Sequence, residues 1–570
     1  MSRDKAVSHE RKGEHEGRAW VAARGMQLRR LDVLVLPALL VLAAALRLPD
    51  LATRGTWDGD QGHDMLVLRA FVRDGVIPLL GPPTSIGDVH HGAWYYYLLS
   101  PAAAVTGGDS VLAVVALIAI AGIAAVGVVW WLARSIGGPL AGALAGLILA
   151  TSGAAIDEST FIWNPNLIAL SSAVALAAAW RAWAGGRRSE SSGAVGGSRR
   201  WWLIAALGVA VTMQSHVLGV AMLPIVGVPF LLDARRRSLG RVPIGVLAIF
   251  VGAYLPLAVN ELTTDFSEVR AALEYLASGD SSDGPPVPVR FGIVGLRVVS
   301  WPLVGLITSA LVPAVIATAA VVGIVVGLSR RRPSPGAASV RAAARWYGSG
   351  LLWSVAFLTV AAPSLASVVP GLPNDHYHAF ADPLVVVLVG LGIAAITGLG
   401  RAVAAPPVGT VVAGLGLFLL VGWNVTHLPP AVHPDGGYPA GQANGERVMA
   451  VLERAGIGRE EVVLLRSLPD FKSTEAVAYP LVRGGQAVVA ETPSGVAPGS
   501  KPTTGGPGAG LIVLCDDLFT AAIGAACGGP AEDAALAASP DAAMWGPMLD
   551  RSEVQPGRWV TVYGPNPHRG

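Results

Sequence analysis

Between the first two strongly apolar runs the chain reads Trp57-Asp58-Gly59-Asp60-Gln61-Gly62-His63-Asp64 and then, further along the same loop, His90-His91-Gly92-Ala93-Trp94-Tyr95-Tyr96-Tyr97. Carboxylates, imidazoles and aromatics gather here in a chain otherwise dominated by Ala, Val, Leu and Gly. Carboxylates and imidazoles are the side chains of proton transfer and of metal ligation. A second acidic cluster, Asp157-Glu158, precedes Phe161-Ile162-Trp163-Asn164-Pro165-Asn166, and a third, Asn374-Asp375-His376-Tyr377-His378, lies far downstream. His216 follows Gln214 at a break between two apolar runs. A divalent metal held by a carboxylate and imidazoles such as His216, Asp375 and His376 is one reading. No single stretch has the fixed spacing of a metal motif, and each histidine taken alone reads equally as a hydrogen-bonded interfacial residue.

The elements that must position these residues follow from periodicity and capping. From Gly62 to Asp74, Met65, Leu68 and Val72 share one helical face while Arg69 and Arg73 share another. Such a segment lies in a membrane interface, or packs as an ordinary amphipathic helix. In the first case Asp60 and the helix start form part of a site facing an amphiphilic substrate. Pro165 fits a first helical turn and Asn164 a cap, so Trp-Asn-Pro-Asn reads as a helix start beside two carboxylates.

The chain has 570 residues, is 52% hydrophobic and only 14% charged, against about 25% charged in a soluble domain. With a mean hydropathy of +0.54 it reads as an integral membrane protein. A net charge of +2 says little about partners, and nothing points to nucleic acid. Ala, Gly and Val abundance with Arg far exceeding Lys suggests GC-rich coding and a bacterium.

Apolar runs long enough to cross a core of about 30 Å fall near residues 32–49, 110–133, 138–155, 166–183, 201–214, 217–232, 242–260, 302–328, 347–369, 382–399 and 408–426. That is about eleven transmembrane helices, with a re-entrant hairpin at Gln214-Ser215-His216 as the alternative to two crossings. Arg187, Arg188, Arg235, Arg236, Arg237, Arg330, Arg331 and Arg332 fall in loops of one parity, and the acids Asp58, Asp60, Asp64, Asp157, Glu158, Glu261 and Asp375 in loops of the other. By the positive-inside rule the N-terminus is cytoplasmic and the acidic loops and C-terminus are outside. The expected organisation is a basic cytoplasmic segment over 1–30, a membrane domain over 31–430 with its first external loop at 50–108, and an extracytoplasmic α/β domain over 431–570. In that last domain Glu446–Ala455 reads as a helix, and Glu461–Leu465, Ala487–Ala490, Leu511–Cys515 and Trp559–Tyr563 as strands, with a Pro/Gly/Ser-rich linker over Thr492–Gly510. Cys515 and Cys527 either pair, at a gain of about 2–3 kcal/mol, or are two buried thiols.

These motifs resemble the GT-C superfamily of membrane glycosyltransferases, nearest the protein mannosyltransferase and aminoarabinose transferase group and its RgtA/B/C/D-like bacterial branch. Asp60 matches the acid that precedes the interfacial helix in that family, although Gln61 stands where Glu is common. His91-Gly92-Ala93-Trp94-Tyr95-Tyr96-Tyr97-Leu98 resembles its His-Pro-Pro-Leu-Tyr-Tyr-Leu run without the prolines. Asp157 or Glu158 resembles the second-loop acid, and Trp163-Asn164-Pro165 a run of the bacterial branch. The resemblance covers roughly residues 30 to 430. It implies transfer of a sugar from a polyprenyl-phosphate donor to an extracytoplasmic acceptor, usually with inversion, with Asp60 as general base and Asp157 or Glu158 as second acid. In that frame Arg69, Arg270, Arg297 or a metal stabilises the leaving lipid phosphate. Trp57, His91, Trp94, Tyr95 and Asn164 lie where the substrate would bind, although the aromatics serve equally as interfacial anchors.

Two other classes compete. A transporter or flippase of lipid-linked sugar would carry ionisable groups near the midplane of broken helices, whereas these spans are almost free of charge and the acids sit at one face. A non-catalytic relative whose C-terminal domain binds wall polymer would not need Asp60.

Overall fold

The computed structural model describes residues 34–84, 89–192, 199–278, 285–332, 337–367, 375–402, 408–492, 495–496 and 508–567. The basic segment over 1–30 and most of the Thr492–Gly510 linker lie outside them.

Helix α1 (Leu34–Arg47) leads to a short turn of helix α2 (Leu51–Arg54) and to α3 (Gly59–Asp74). A two-stranded ribbon, β1 (Leu80–Pro83) with β2 (His90–Gly92), then brings the chain to α4 (Trp94–Ala104). The apolar helices α5 (Val111–Gly137) and α6 (Pro139–Thr151), the short α7 (Gly153–Asp157), α8 (Ile168–Ser192), α9 (Trp201–Ser215), α10 (Met222–Arg236) and α11 (Val242–Thr263) follow. After α12 (Ser267–Ser278) and α13 (Val287–Val304) come α14 (Ile307–Ser329), α15 (Ala337–Ala361), α16 (Asp382–Ala402) and α17 (Val408–Thr426).

Hydrogen bonds between helix ends sort these elements onto two faces. On the face that carries Asp60, the Arg47 guanidinium at the end of α1 donates to the Ala150 carbonyl at the end of α6 (2.9 Å), and Asn424 of α17 donates to Leu303 of α13 (2.7 Å). On the opposite face Arg345 of α15 donates to Ser329 of α14 (3.1 Å), and Arg331 to Ala395 of α16 (2.9 Å).

Although α13 is long and apolar enough to cross a membrane, α12, which leads into it, and its own Trp301 are both held at the Asp60 face. Glu268 of α12 accepts the backbone N–H of His90 (2.7 Å), and Trp301 donates to Glu158 (2.8 Å). Among the described residues eight helices, α13 included, are long and apolar enough to cross a membrane, and α1, α6 and α9 are shorter apolar helices. The sequence places a single span over 302–328; the helix breaks instead at Gly305, whose φ of +81° suits glycine. The next span, expected from residue 347, begins at Ala337 because Arg341 and Arg345 in its first turns lower the local hydropathy. At His216 the two helices α9 and α10 meet through a 3-10 turn over Val217–Ala221.

Beyond α17 the chain forms α18 (Gly437–Arg454), β3 (Val463–Leu468), α19 (Glu475–Arg483), β4 (Val488–Thr492), β5 (Gly495–Val496), β6 (Gly510–Asp516), the short α20 (Thr520–Ile523), α21 (Pro530–Ala538), β7 (Trp545–Gln555) and β8 (Arg558–Pro565). The six strands are ordered β5-β4-β3-β6-β8-β7, with β4, β3 and β6 parallel and the β7–β8 hairpin closing one edge antiparallel. Parallel strands covered on both faces lose polar alternation, and every residue of β6 is buried. Cys515 and Cys527 form a disulfide.

The largest core cluster of this α/β unit is shared with the first loop. Met65, Leu66 and Leu68 of α3 and Tyr95 and Tyr96 of α4 pack in one hydrophobic cluster with Val448, Leu452, Val463, Val477, Tyr479, Val560 and Val562. The approach is close enough that a Cβ on Gly62 would overlap the Glu475 carbonyl, so glycine at that turn of α3 lets α19 dock.

Candidate active site

Asp58 caps α3: its carboxylate accepts the Gly59 N–H (2.7 Å), while the Gln61 side chain accepts the Asp58 N–H (2.8 Å). This capping box satisfies backbone donors that a helix start leaves open. Gln61 also donates to the Ile162 carbonyl (2.9 Å). The free oxygen of Asp58 meets two cations of the α/β domain, Lys472 at 2.8 Å and Arg558 at 3.2 Å. Burial works to raise the Asp58 pKa, but Arg558 and Lys472 hold it below the usual carboxylate range. Asp516 completes the ring, 3.0 Å from Arg558.

Asp60 occupies the first turn of α3 and remains exposed. Its carboxylate accepts one bond from the Trp163 indole (3.1 Å). Crowding by surrounding protein, and then the negative charge of Asp58, raise its pKa; Lys472 and His63 act in opposition. One turn on, His63 is paired with Glu475 of α19 at 2.8 Å. Although burial opposes its charge, Glu475 lifts its pKa to about 9, so the imidazole is a cation at neutral pH. Asp64 is buried, accepts the hydroxyls of Tyr95 (2.6 Å) and Tyr96 (2.9 Å), and is pushed by burial up to about 7.

The second wall of this site comes from the carboxyl ends of β3 and β6. Lys472, Ser473 and Glu475 follow β3, and Asp516 ends β6. The chain crosses from β3 to β4 on one side and returns to β6 on the other, so the crevice between β3 and β6 is the switch point at which open α/β sheets bind ligands. Here that crevice faces Asp58 and Asp60.

The remaining candidates lie elsewhere. Trp57 does not offer a stacking face: it is buried against Tyr438 and Tyr479, and its indole donates to the Ala476 carbonyl (3.0 Å). Tyr95 is likewise buried, its hydroxyl held by Asp64. Arg69 lies at the far end of α3, ion-paired with Asp109. Arg270 is exposed on α12 and bonds Asp265 (2.8 Å), while Arg297 is fully buried and donates to the carbonyls of Leu365 and Ser367 (both 2.8 Å). Asn164 ties the start of α8 to Ser215 at the end of α9 (2.6 Å). Trp94 is half-buried, its backbone N–H directed at Gln214 (3.4 Å).

His91 and His216 stack with ring centres 4.6 Å apart, and each accepts a backbone N–H through Nδ1, from Val217 and Leu218 respectively. Burial takes the His91 pKa well below the usual value and that of His216 to about 3, so both are neutral. Glu158 accepts the Trp301 indole (2.8 Å), and Asp157, raised by burial, has His433 and Arg54 as its nearest opposing charges. The side chains of Asp375 and His376 lie outside the described part of the structure. Among the described residues no three His, Cys, Asp or Glu side chains converge.

Lys472, Glu475 and Arg558 are the site's additions to the residues the motifs single out. One signal was available, since Lys472 is one of only four lysines in the chain.

No family model matches the chain, and no curated protein matches it. Among solved structures it is similar to ArnT from Cupriavidus metallidurans bound to undecaprenyl phosphate, at 16% identity and a TM-score of 0.48 over 93% of this chain and 97% of that one. It is similar also to the Archaeoglobus fulgidus oligosaccharyltransferase in complex with Zn and sulfate, at 14% identity and 0.49 over 85% and 68%. A third is arabinosyltransferase EmbB from Mycobacterium smegmatis, at 14% identity and 0.26 over 69% and 41%. Asp60 stands in the first turn of α3, on the face where the α/β unit packs.

Proposed function

We propose that the protein is a membrane glycosyltransferase that moves a sugar from a polyprenyl-phosphate donor to an acceptor outside the cytoplasm, with Asp60 as general base. The observation that carries this reading is one exposed carboxylate of raised pKa, set on a rigid helix start, with Lys472 and His63 acting on its charge and Arg558 paired with the neighbouring Asp58. In the reaction an acceptor hydroxyl attacks the anomeric carbon, its proton passes to Asp60, and the bond from that carbon to the phosphate oxygen breaks. A raised pKa makes this carboxylate a stronger base for the proton transfer. The departing lipid phosphate carries the negative charge, which fixed cations at the site stabilise without reorganisation. Lys472 and Arg558 take the part that Arg69, Arg270 and Arg297 would have played from sequence.

The disulfide between Cys515 and Cys527 supports an oxidising compartment for the α/β domain, and hence for the Asp60 face. The acids gather at that face rather than at the midplane, which favours an enzyme over a flippase.

Sugar transfer by purified protein in lipid, with a panel of polyprenyl-phosphate sugars and a crude cell-envelope acceptor, tests the proposal. Wild type transfers, and folded Asp60→Asn loses about 10²–10⁴-fold, the range of a general base. Equal activity of the two removes Asp60 from the site, and no transfer from any donor favours the flippase or polymer-binding reading.

A further inference from the structure

At the face opposite Asp60, helices α8, α10 and α15 part around a cavity of about 960 Å³. It follows α15 through Ala338, Ala342, Arg345, Ser349 and Trp353. These positions recur every three or four residues and so share a helix face, over about 22 Å at 1.5 Å per residue. The two ends differ in chemistry. Toward the middle of the bundle the walls are Pro224, Ile225 and Trp353, and the polar atoms of its indoles are already satisfied, since Trp353 donates to Ala221 (3.0 Å) and Trp346 to Ile225 (2.8 Å). At the outer end stand Arg341 and Arg345, with Arg236 lying over the rim residue Trp183 at 4.7 Å. Each of the first two guanidiniums holds a carbonyl near the end of α14, Arg331 and Ser329 respectively. A guanidinium has five N–H donors, so capacity remains for an anion.

We propose that this groove binds an anionic phospholipid, one acyl chain along α15 and the phosphate on Arg341 and Arg345. From Arg341 to Trp353 the slot runs about 18 Å at 1.5 Å per residue, more than half of a hydrocarbon core of about 30 Å, and its charged mouth complements a negative headgroup. The lipid that would serve Asp60 presents its phosphate at the other face, so this site is separate from the reaction proposed above.

The test is native mass spectrometry of the delipidated full-length protein, titrated with phosphatidylglycerol, phosphatidylcholine and a polyprenyl phosphate. Phosphatidylglycerol should bind tightest. The Arg341→Gln/Arg345→Gln double variant should weaken that binding about 25-fold, roughly fivefold for each cation, and leave phosphatidylcholine unchanged. Ser349→Trp, which fills the slot, should weaken binding whatever the headgroup. Both variants should retain the wild-type melting temperature in phosphatidylcholine, so that lost binding is not lost folding. Equal affinity for the two phospholipids, or an unaltered double variant, overturns the proposal; preferential binding of the polyprenyl phosphate overturns the choice of occupant.

Discussion

Lys472 sits 2.8 Å from Asp58 and acts on Asp60 as well, where its positive charge lowers a pKa that crowding and Asp58 raise. Replacing it with methionine removes that lowering influence, so the Asp60 pKa climbs further. The acid limb of the pH dependence of kcat/KM should therefore move to higher pH in Lys472→Met, and the maximal rate should fall through the loss of a cation at the leaving phosphate. A pH profile with an unmoved limb would take Lys472 out of the electrostatics of the base. At this scale the amphipathic helix from Gly62 onward is legible in the sequence, whereas its Asp58 cap, which starts it at Gly59, is not. Lys472 and Arg558 are not legible either, because their partner is more than 400 residues away in the chain and nothing local in Phe471-Lys472-Ser473-Thr474 announces it. Nor does the sequence tell an exposed aromatic from a buried one, and Trp57 and Tyr95 prove to be packed.

Among the elements, α3 and α19 are joined by the His63–Glu475 pair and by the close approach at Gly62. His63 has its pKa raised from 6.5 to about 9 in the folded state. A group with a raised folded pKa binds its proton more tightly when folded, so its contribution is full below about 6.5 and is lost as pH rises through about 9. The melting temperature of the purified protein should fall across that window, and His63→Gln should flatten the fall. An identical slope in the variant would assign the pH dependence to other groups. The helices themselves are largely legible from hydropathy and flanking arginines. The exceptions are α13, apolar enough to cross yet held at one face by Trp301 and Asn424, and β7, where Asp550, Arg551, Ser552 and Glu553 dilute the apolar alternation that marks a strand.

Over the whole molecule, the membrane bundle and the α/β unit meet in one hydrophobic cluster rather than across a thin linker. A boundary at residue 430 suits the change in composition but cuts that cluster in two. Ending the chain after Thr426 should leave the buried faces of α3 and α4 uncovered, and limited proteolysis should then cleave between residues 50 and 108 while the apolar bundle stays intact. Resistance of that loop in the shortened chain would show that it folds without the α/β unit.

The bond from the Trp57 indole to Ala476 joins residues 419 apart. Ribosomes add roughly 5–20 residues per second, so the loop waits roughly 20–80 seconds after its synthesis for the strands and helices that will cover it. Throughout that interval Met65, Leu66 and Leu68 are exposed on a half-made protein. An amphipathic helix meets that interval by resting its apolar side on the membrane surface, so the period of α3 serves assembly before it serves any chemistry.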